Sequence, residues 1–138
     1  MESRGTHIIC ELSGCAPELL TDVDAVTTIM TSAAREANAE ILKVAFHRFQ
    51  PHGVSGVVVI AESHLSIHTW PESGYAAVDF YTCGDHTDPW RACEYAAKKL
   101  GAATMLTTEV KRGIASTNGQ YTHVVHEHAG RSMAKRSA

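Results

Sequence analysis

The first apolar run, His7-Ile8-Ile9-Cys10-Glu11-Leu12, lies between Gly5 and Gly14 and predicts a strand. From Val23 onward, Val26, Ile29, Met30, Ala33, Ala34 and Ala37 recur at helical spacing, the stripe of an amphipathic helix, with Thr21 or Asp22 as cap and Asn38 at the exit. Ile41 to Phe49 reads as a strand and Pro51-His52-Gly53 as a turn. Val54 to Ala61 is so continuously apolar that it predicts a central strand covered on both faces. Strict alternation follows: Leu65 and Ile67 against His64, Ser66, His68 and Trp70. This predicts a strand with one polar face, before Pro71-Glu72-Ser73-Gly74 turns the chain. Tyr75 to Thr82 is a further strand. Asp88-Pro89 supplies an N-cap followed by proline at the first helical position, and Gly101 closes that helix after Leu100. Ala103 to Val110 predicts a last strand. Residues 113–138 carry Asn118-Gly119, histidines and a basic end at Arg131, Lys135 and Arg136, and read as a partly disordered tail.

The order β-α-β-β-β-β-α-β, with short turns between consecutive strands, predicts an antiparallel-rich sheet with helices on one face, a two-layer α/β sandwich. At 138 residues and 44% hydrophobic content the chain fits one domain. A net charge of −3 with scattered Lys and Arg leaves no basic field for nucleic acid. No apolar run has the length of a membrane span, and the start lacks a signal-peptide core, so a cytoplasmic location is expected. There Cys10, Cys15, Cys83 and Cys93 are expected to be reduced thiols, Cys10 and Cys93 as core packing. His123-Val124-Val125-His126-Glu127-His128 brings imidazoles and a carboxylate together, but a mobile tail is a poor preorganised ligand set, and no metal site is expected.

The candidate chemistry centres on Glu62-Ser63-His64-Leu65-Ser66-Ile67-His68, which puts a hydroxyl, a peptide carbonyl and a proton acceptor in one short run. Attack of the Ser63 hydroxyl on the Glu62 carbonyl converts the amide to an ester. Removal of the Ser63 Cα proton then eliminates the Glu62 carboxylate and leaves dehydroalanine, which hydrolyses through an imine to a pyruvoyl group. That carbonyl forms a Schiff base with an amine substrate and acts as an electron sink.

Gly53-Val54-Ser55-Gly56-Val57-Val58-Val59-Ile60, running into Glu62 through Glu72, then Gly74-Tyr75-Ala76-Ala77 and Tyr81-Thr82-Cys83-Gly84, resembles the prokaryotic S-adenosylmethionine decarboxylase proenzymes over about Gly5 to Gly101. The resemblance implies self-cleavage at Glu62-Ser63 into residues 1–62 and 63–138, and a pyruvoyl cofactor derived from Ser63. It implies that His68 is the base of the elimination, and that Ser55 hydrogen-bonds the oxyoxazolidine formed during the acyl shift. Cys83 matches the acid that returns a proton to the substrate Cα after carbon dioxide leaves. Phe49, with the His68 ring, is implied to hold the adenine and sulfonium by stacking and cation–π attraction, and Glu72 suits two ribose hydroxyls. His64 carries no such support and is read as structural, and Trp70 as core. The implied assembly is a homodimer burying two sheet faces as four layers, αββα, with active sites at the interface. A pyruvoyl-dependent decarboxylase of ornithine or arginine, and a non-processed homologue with a binding or regulatory role, remain as alternatives.

Overall fold

The computed structural model describes residues 2–133. Asp22 opens the long helix α2 (Val23–Glu36) by accepting a hydrogen bond from the Ala25 amide at 3.1 Å, and α1 (Pro17–Leu20) is a single turn before it. Asp88 opens α3 (Pro89–Lys99) in the same way, accepting from Trp90 and Arg91 amides at 3.0 and 3.4 Å. Each cap satisfies amides that the first turn of a helix leaves without an intrahelical partner. The strands are β1 (Gly5–Ser13), β2 (Ile41–Arg48), β3 (Val54–Ile60), β4 (Ser63–Trp70), β5 (Tyr75–Thr82), β6 (Thr104–Ala115) and β7 (Tyr121–Ser132). They form one antiparallel sheet in the order β2-β3-β4-β5-β1-β6-β7.

The pleat sends alternate side chains to opposite faces. Ile8, Cys10 and Leu12 of β1, Leu65 and Ile67 of β4, and Ala76, Val78 and Phe80 of β5 are buried in the same core as Val26, Met30, Ala33 and Ala34 of α2 and Ala92, Ala96 and Ala97 of α3. Among the described residues, no helix covers the opposite face. This is the expected two-layer α/β sandwich. Gly56 has a packing reason: a Cβ there would lie 2.0 Å from the Phe46 ring, which crosses from the paired position on β2.

Three expectations change. Val54–Ile60 is not covered on both faces: Val54, Val58 and Ile60 are buried, whereas Val57 is half-buried and Val59 exposed on the open side. Residues 113–138 are not a disordered tail as far as they are described, because β6 runs on to Ala115 and β7 pairs with it up to Ser132. Nearly all of β7 is exposed, so its sequence has no apolar face to announce a strand, and the backbone ladder to β6 holds it. Lys135 and Arg136 lie outside the described residues. Cys10 of β1 and Cys93 of α3 are joined as a disulfide, where two reduced thiols were expected, because the packing of α3 on β1 brings these two core positions together. Cys15 and Cys83 are free thiols.

Gly56→Ala should destabilise the fold by about 1–3 kcal/mol, the usual cost of overpacking a core. Urea unfolding checks this: the midpoint falls, and an unchanged midpoint would mean that the Phe46 ring moves aside freely.

Candidate active site

Ser63 opens β4 directly after a two-residue turn, with φ +152°, a conformation that side chains other than glycine's rarely accept. Such backbone strain costs on the order of 1–3 kcal/mol and persists only where its surroundings enforce it. The preceding carbonyl is also engaged. Cys83, in the loop after β5, donates its thiol proton to the Glu62 carbonyl oxygen at 2.8 Å, and the Glu62 carboxylate pairs with His86 at 3.0 Å. The structure therefore brings Glu62, Ser63 and Cys83 together.

Ser55, His68, Phe49 and Glu72 gather elsewhere. Ser55 and His68 face each other across β3 and β4, with Ser55 Oγ 2.8 Å from His68 Nδ1. Phe49, just past β2, and Glu72, in the 3-10 turn Pro71–Ser73, complete with them the wall of a cavity of ≈ 430 Å³. Phe49 is 47% exposed, available to a ligand, and the ring of His47 stands edge-on to it at 4.7 Å. Trp70, expected in the core, lines this cavity instead and stacks on Tyr75 at 5.1 Å. His52, which the sequence did not single out, pairs with Glu72 at 3.3 Å. Five residues of strand separate Ser63 from His68, about 16 Å at ~3.3 Å per residue. Within one chain the expected site is thus in two halves.

A third group on the open face was not foreseen. His7 on β1 and His64 on β4 flank Tyr81 of β5, and both reach Asp79 Oδ2, at 2.6 and 3.2 Å. Ser66 donates to the other carboxylate oxygen. Burial pushes the Asp79 carboxyl up, but the hydrogen bonds from His7, Ser66 and His64 outweigh it and bring it down to about 2. Ligand atoms of His7, His64 and Asp79 lie within 4.8 Å of one another, a geometry a divalent cation could use, although here they bond to each other. His126 and His128, by contrast, pair with residues of β6 that point to the helix side, whereas His123 pairs with Arg112 of the open side, so the three imidazoles of β7 do not converge. Tyr75 donates its hydroxyl to Glu11, and that bond together with burial and the Glu11 charge pushes the phenol up to about 12.

The sequence and fold that carry this Glu62-Ser63 junction have known relatives. Residues 6–113 match the S-adenosylmethionine decarboxylase family. The S-adenosylmethionine decarboxylase proenzyme of Carboxydothermus hydrogenoformans is 60% identical over 114 residues, 83% of this chain and 90% of that protein. The proenzyme of Caldicellulosiruptor saccharolyticus is 58% identical over 114 residues, covering 83% and 92%. The crystal structure of the adenosylmethionine decarboxylase from Aquifex aeolicus superposes with a TM-score of 0.79 at 37% identity, over 85% of this chain and 97% of that one. The chain belongs to the S-adenosylmethionine decarboxylase family. Strand β7 lies beyond the residues matched.

Asp79 should leave a mark on acid stability. Its folded pKa is depressed below its unfolded value, so its contribution is complete above about pH 4 and is lost as the pH falls toward 2. A shift of this size corresponds to about 2 kcal/mol. Asp79→Asn should therefore flatten the fall of unfolding free energy between pH 4 and 2, as measured by denaturant titration at each pH. An unchanged slope would mean that other carboxylates set it.

Proposed function

We propose that this chain is a precursor that cuts itself between Glu62 and Ser63 and then decarboxylates S-adenosylmethionine, supplying the aminopropyl donor for polyamine (spermidine) synthesis as a cytoplasmic homodimer. The observation that carries the reading is the Glu62-Ser63 junction: a serine in strained backbone follows a carbonyl already polarised by a thiol, in a chain of this family. These residues fit the formation of a pyruvoyl group at position 63, since the nucleophile, the electrophile and a donor to the developing oxyanion are all present. Once formed, that group supplies an electrophilic carbonyl and an electron sink for the amino-acid part of the substrate. No helix among the described residues is long and apolar enough to cross a membrane.

Ser63 is the nucleophile of cleavage. Cys83, next to the same position, donates a proton to the substrate Cα after carbon dioxide departs. Its contact with the Glu62 oxygen adds an earlier task, polarising the carbonyl that Ser63 attacks. His68, held by Ser55, removes the Ser63 Cα proton during processing, and Ser55 steadies the oxyoxazolidine. Phe49 and the His68 ring offer faces for the adenine and sulfonium, and Glu72 accepts from the ribose hydroxyls.

The separation of the two halves favours a dimer whose sites are shared. No proton passes over about 16 Å between Ser63 and His68 of one chain. A second copy related by a two-fold axis, sheet against sheet, would bring the partner subunit's His68, Ser55, Phe49 and Glu72 to Ser63 and Cys83, and the reverse at the second site. The open face suits this, because Ile9, Val59, Trp70 and Leu106 are exposed on it around the polar centre. The result would be four layers, αββα.

Intact mass under denaturing conditions should give two chains, 1–62 and a blocked 63–138, and Ser63→Ala should give one full-length chain without decarboxylase activity. A wild-type chain that stays whole, or an active Ser63→Ala chain, contradicts the reading.

Shared sites make a sharper expectation. Ser63→Ala and His68→Ala are each inactive alone, but co-expression restores one complete site in every mixed dimer. Activity should return to roughly a quarter of wild type for random pairing. Its failure to return, while dimers form, would place both groups in one chain.

A further inference from the structure

Neighbouring residues in a strand ordinarily project to opposite faces. Ser63 and His64 do not keep that rule. The positive φ of Ser63 breaks the alternation, and Ser63 Oγ lies 3.3 Å from His64 Nδ1. On its other side, His64 Nε2 lies 3.2 Å from Asp79 Oδ2. The ionised carboxylate only accepts hydrogen bonds, so both imidazoles that meet it do so with Nε2–H. The Nδ1 lone pair of His7 then faces the Arg112 guanidinium at 3.4 Å, a group that only donates. The Nδ1 lone pair of His64 faces the hydroxyl of Ser63. The whole network thus fixes one tautomer, and that tautomer leaves a basic nitrogen at the serine of the scissile bond.

We propose that His64, oriented by Asp79, is the general base that activates Ser63 for the acyl shift. This rests on the self-cleavage reading above and gives its first step a base distinct from His68. As the bond from Ser63 Oγ to the Glu62 carbonyl carbon forms, the hydroxyl proton passes to His64 Nδ1, and Asp79 stabilises the imidazolium. Negative charge gathers on the Glu62 oxygen, where the Cys83 thiol donates. When the bond from the Glu62 carbon to the Ser63 nitrogen breaks, the same proton passes to the departing nitrogen. The products are an ester and a free amine. Nothing is oxidised or reduced, and no co-reactant is consumed. Asp79 touches no reacting atom and is a positioning residue, itself held by His7 and Ser66.

The test follows full-length chains made by cell-free synthesis, with time points read by intact mass before and after hydroxylamine. His64→Ala should cleave about 10²-fold more slowly or worse. Its full-length chain should resist hydroxylamine because the bond is still an amide, and added imidazole should speed cleavage. His68→Ala should accumulate the opposite species, an ester that hydroxylamine cuts. His64→Gln keeps a hydrogen-bonding side chain beside Asp79 and should be equally slow without rescue by imidazole, which separates loss of the base from loss of the fold. Asp79→Asn keeps the shape and removes the charge. It should slow cleavage, since the imidazolium that forms on His64 loses the charge that stabilises it, and it should add little to the defect of His64→Ala when the two changes are combined. His7, Tyr81 and Arg112, the ionisable groups facing the pair from β1, β5 and β6, stay in place. Cleavage of His64→Ala or His64→Gln at the wild-type rate, a hydroxylamine-sensitive ester in either, or full additivity of Asp79→Asn with His64→Ala overturns the assignment while self-cleavage stands. A wild-type chain that never cleaves overturns both.

Discussion

The pleat of β4 is the constraint on which the rest depends. Leu65, Ile67 and Thr69 point into the helix-covered core, so His64, Ser66, His68 and Trp70 must emerge on the bare face of the sheet. A slip of one residue in the pairing with β3 or β5 would exchange the two sets, exposing the aliphatic side chains and burying two histidines. The register is fixed by burial on one face, and the chemistry on the other inherits that precision. Thr69 adds a polar anchor within the core, donating to the Leu20 carbonyl at 2.7 Å and accepting from the Val54 amide at 2.8 Å. These bonds tie the site-bearing end of β4 to the start of β3 and to the end of α1.

At the other end of β4 the regular pattern gives way. A serine on the strand's own alternation would point away from His64, and its amide would be an ordinary member of the ladder. The strained conformation at Ser63 costs free energy that packing elsewhere must offset. Its consequence is local: the hydroxyl meets an imidazole, while the preceding carbonyl meets a thiol. Both partners come from the rigid sheet or its immediate flank, so the strain is held in place rather than relaxed by loop motion.

Much of this was legible in the chain. The caps at Asp22 and Asp88-Pro89, the helical stripe of α2 and the alternation of β4 are local signals, and β1 to β5 lie where their patterns predict. Three things were not legible, two because distant segments make them and one because it buries almost nothing. The Asp79 cluster needs β1 beside β5, which joins His7 to a residue 72 positions away, and no local pattern carries that pairing. The Cys10–Cys93 link needs α3 to pack on β1 across 83 positions. Strand β7 buries almost nothing, so hydrophobic period, the strongest sign of a strand, is absent from it. Of the candidate residues expected in one site, Ser55, His68, Phe49 and Glu72 line one cavity. That Ser63 and Cys83 stand apart from them follows only from counting residues along an extended strand.

That separation also gives the two histidines of one strand different surroundings. His64 and His68 share a face, four residues and about 13 Å apart at ~3.3 Å per residue. Of the two, His64 reaches the hydroxyl of Ser63 in its own chain, and it is held by a carboxylate that fixes its tautomer. His68 is held by a serine and opens onto a cavity. An acyl shift needs a base at the hydroxyl, whereas elimination needs one at the Cα proton, approached from a different direction once the ester has formed. If the first base is built into the chain and the second arrives with the partner, the precursor can begin the shift once β4 is paired with β5, but it completes the cofactor only within the dimer that will use it.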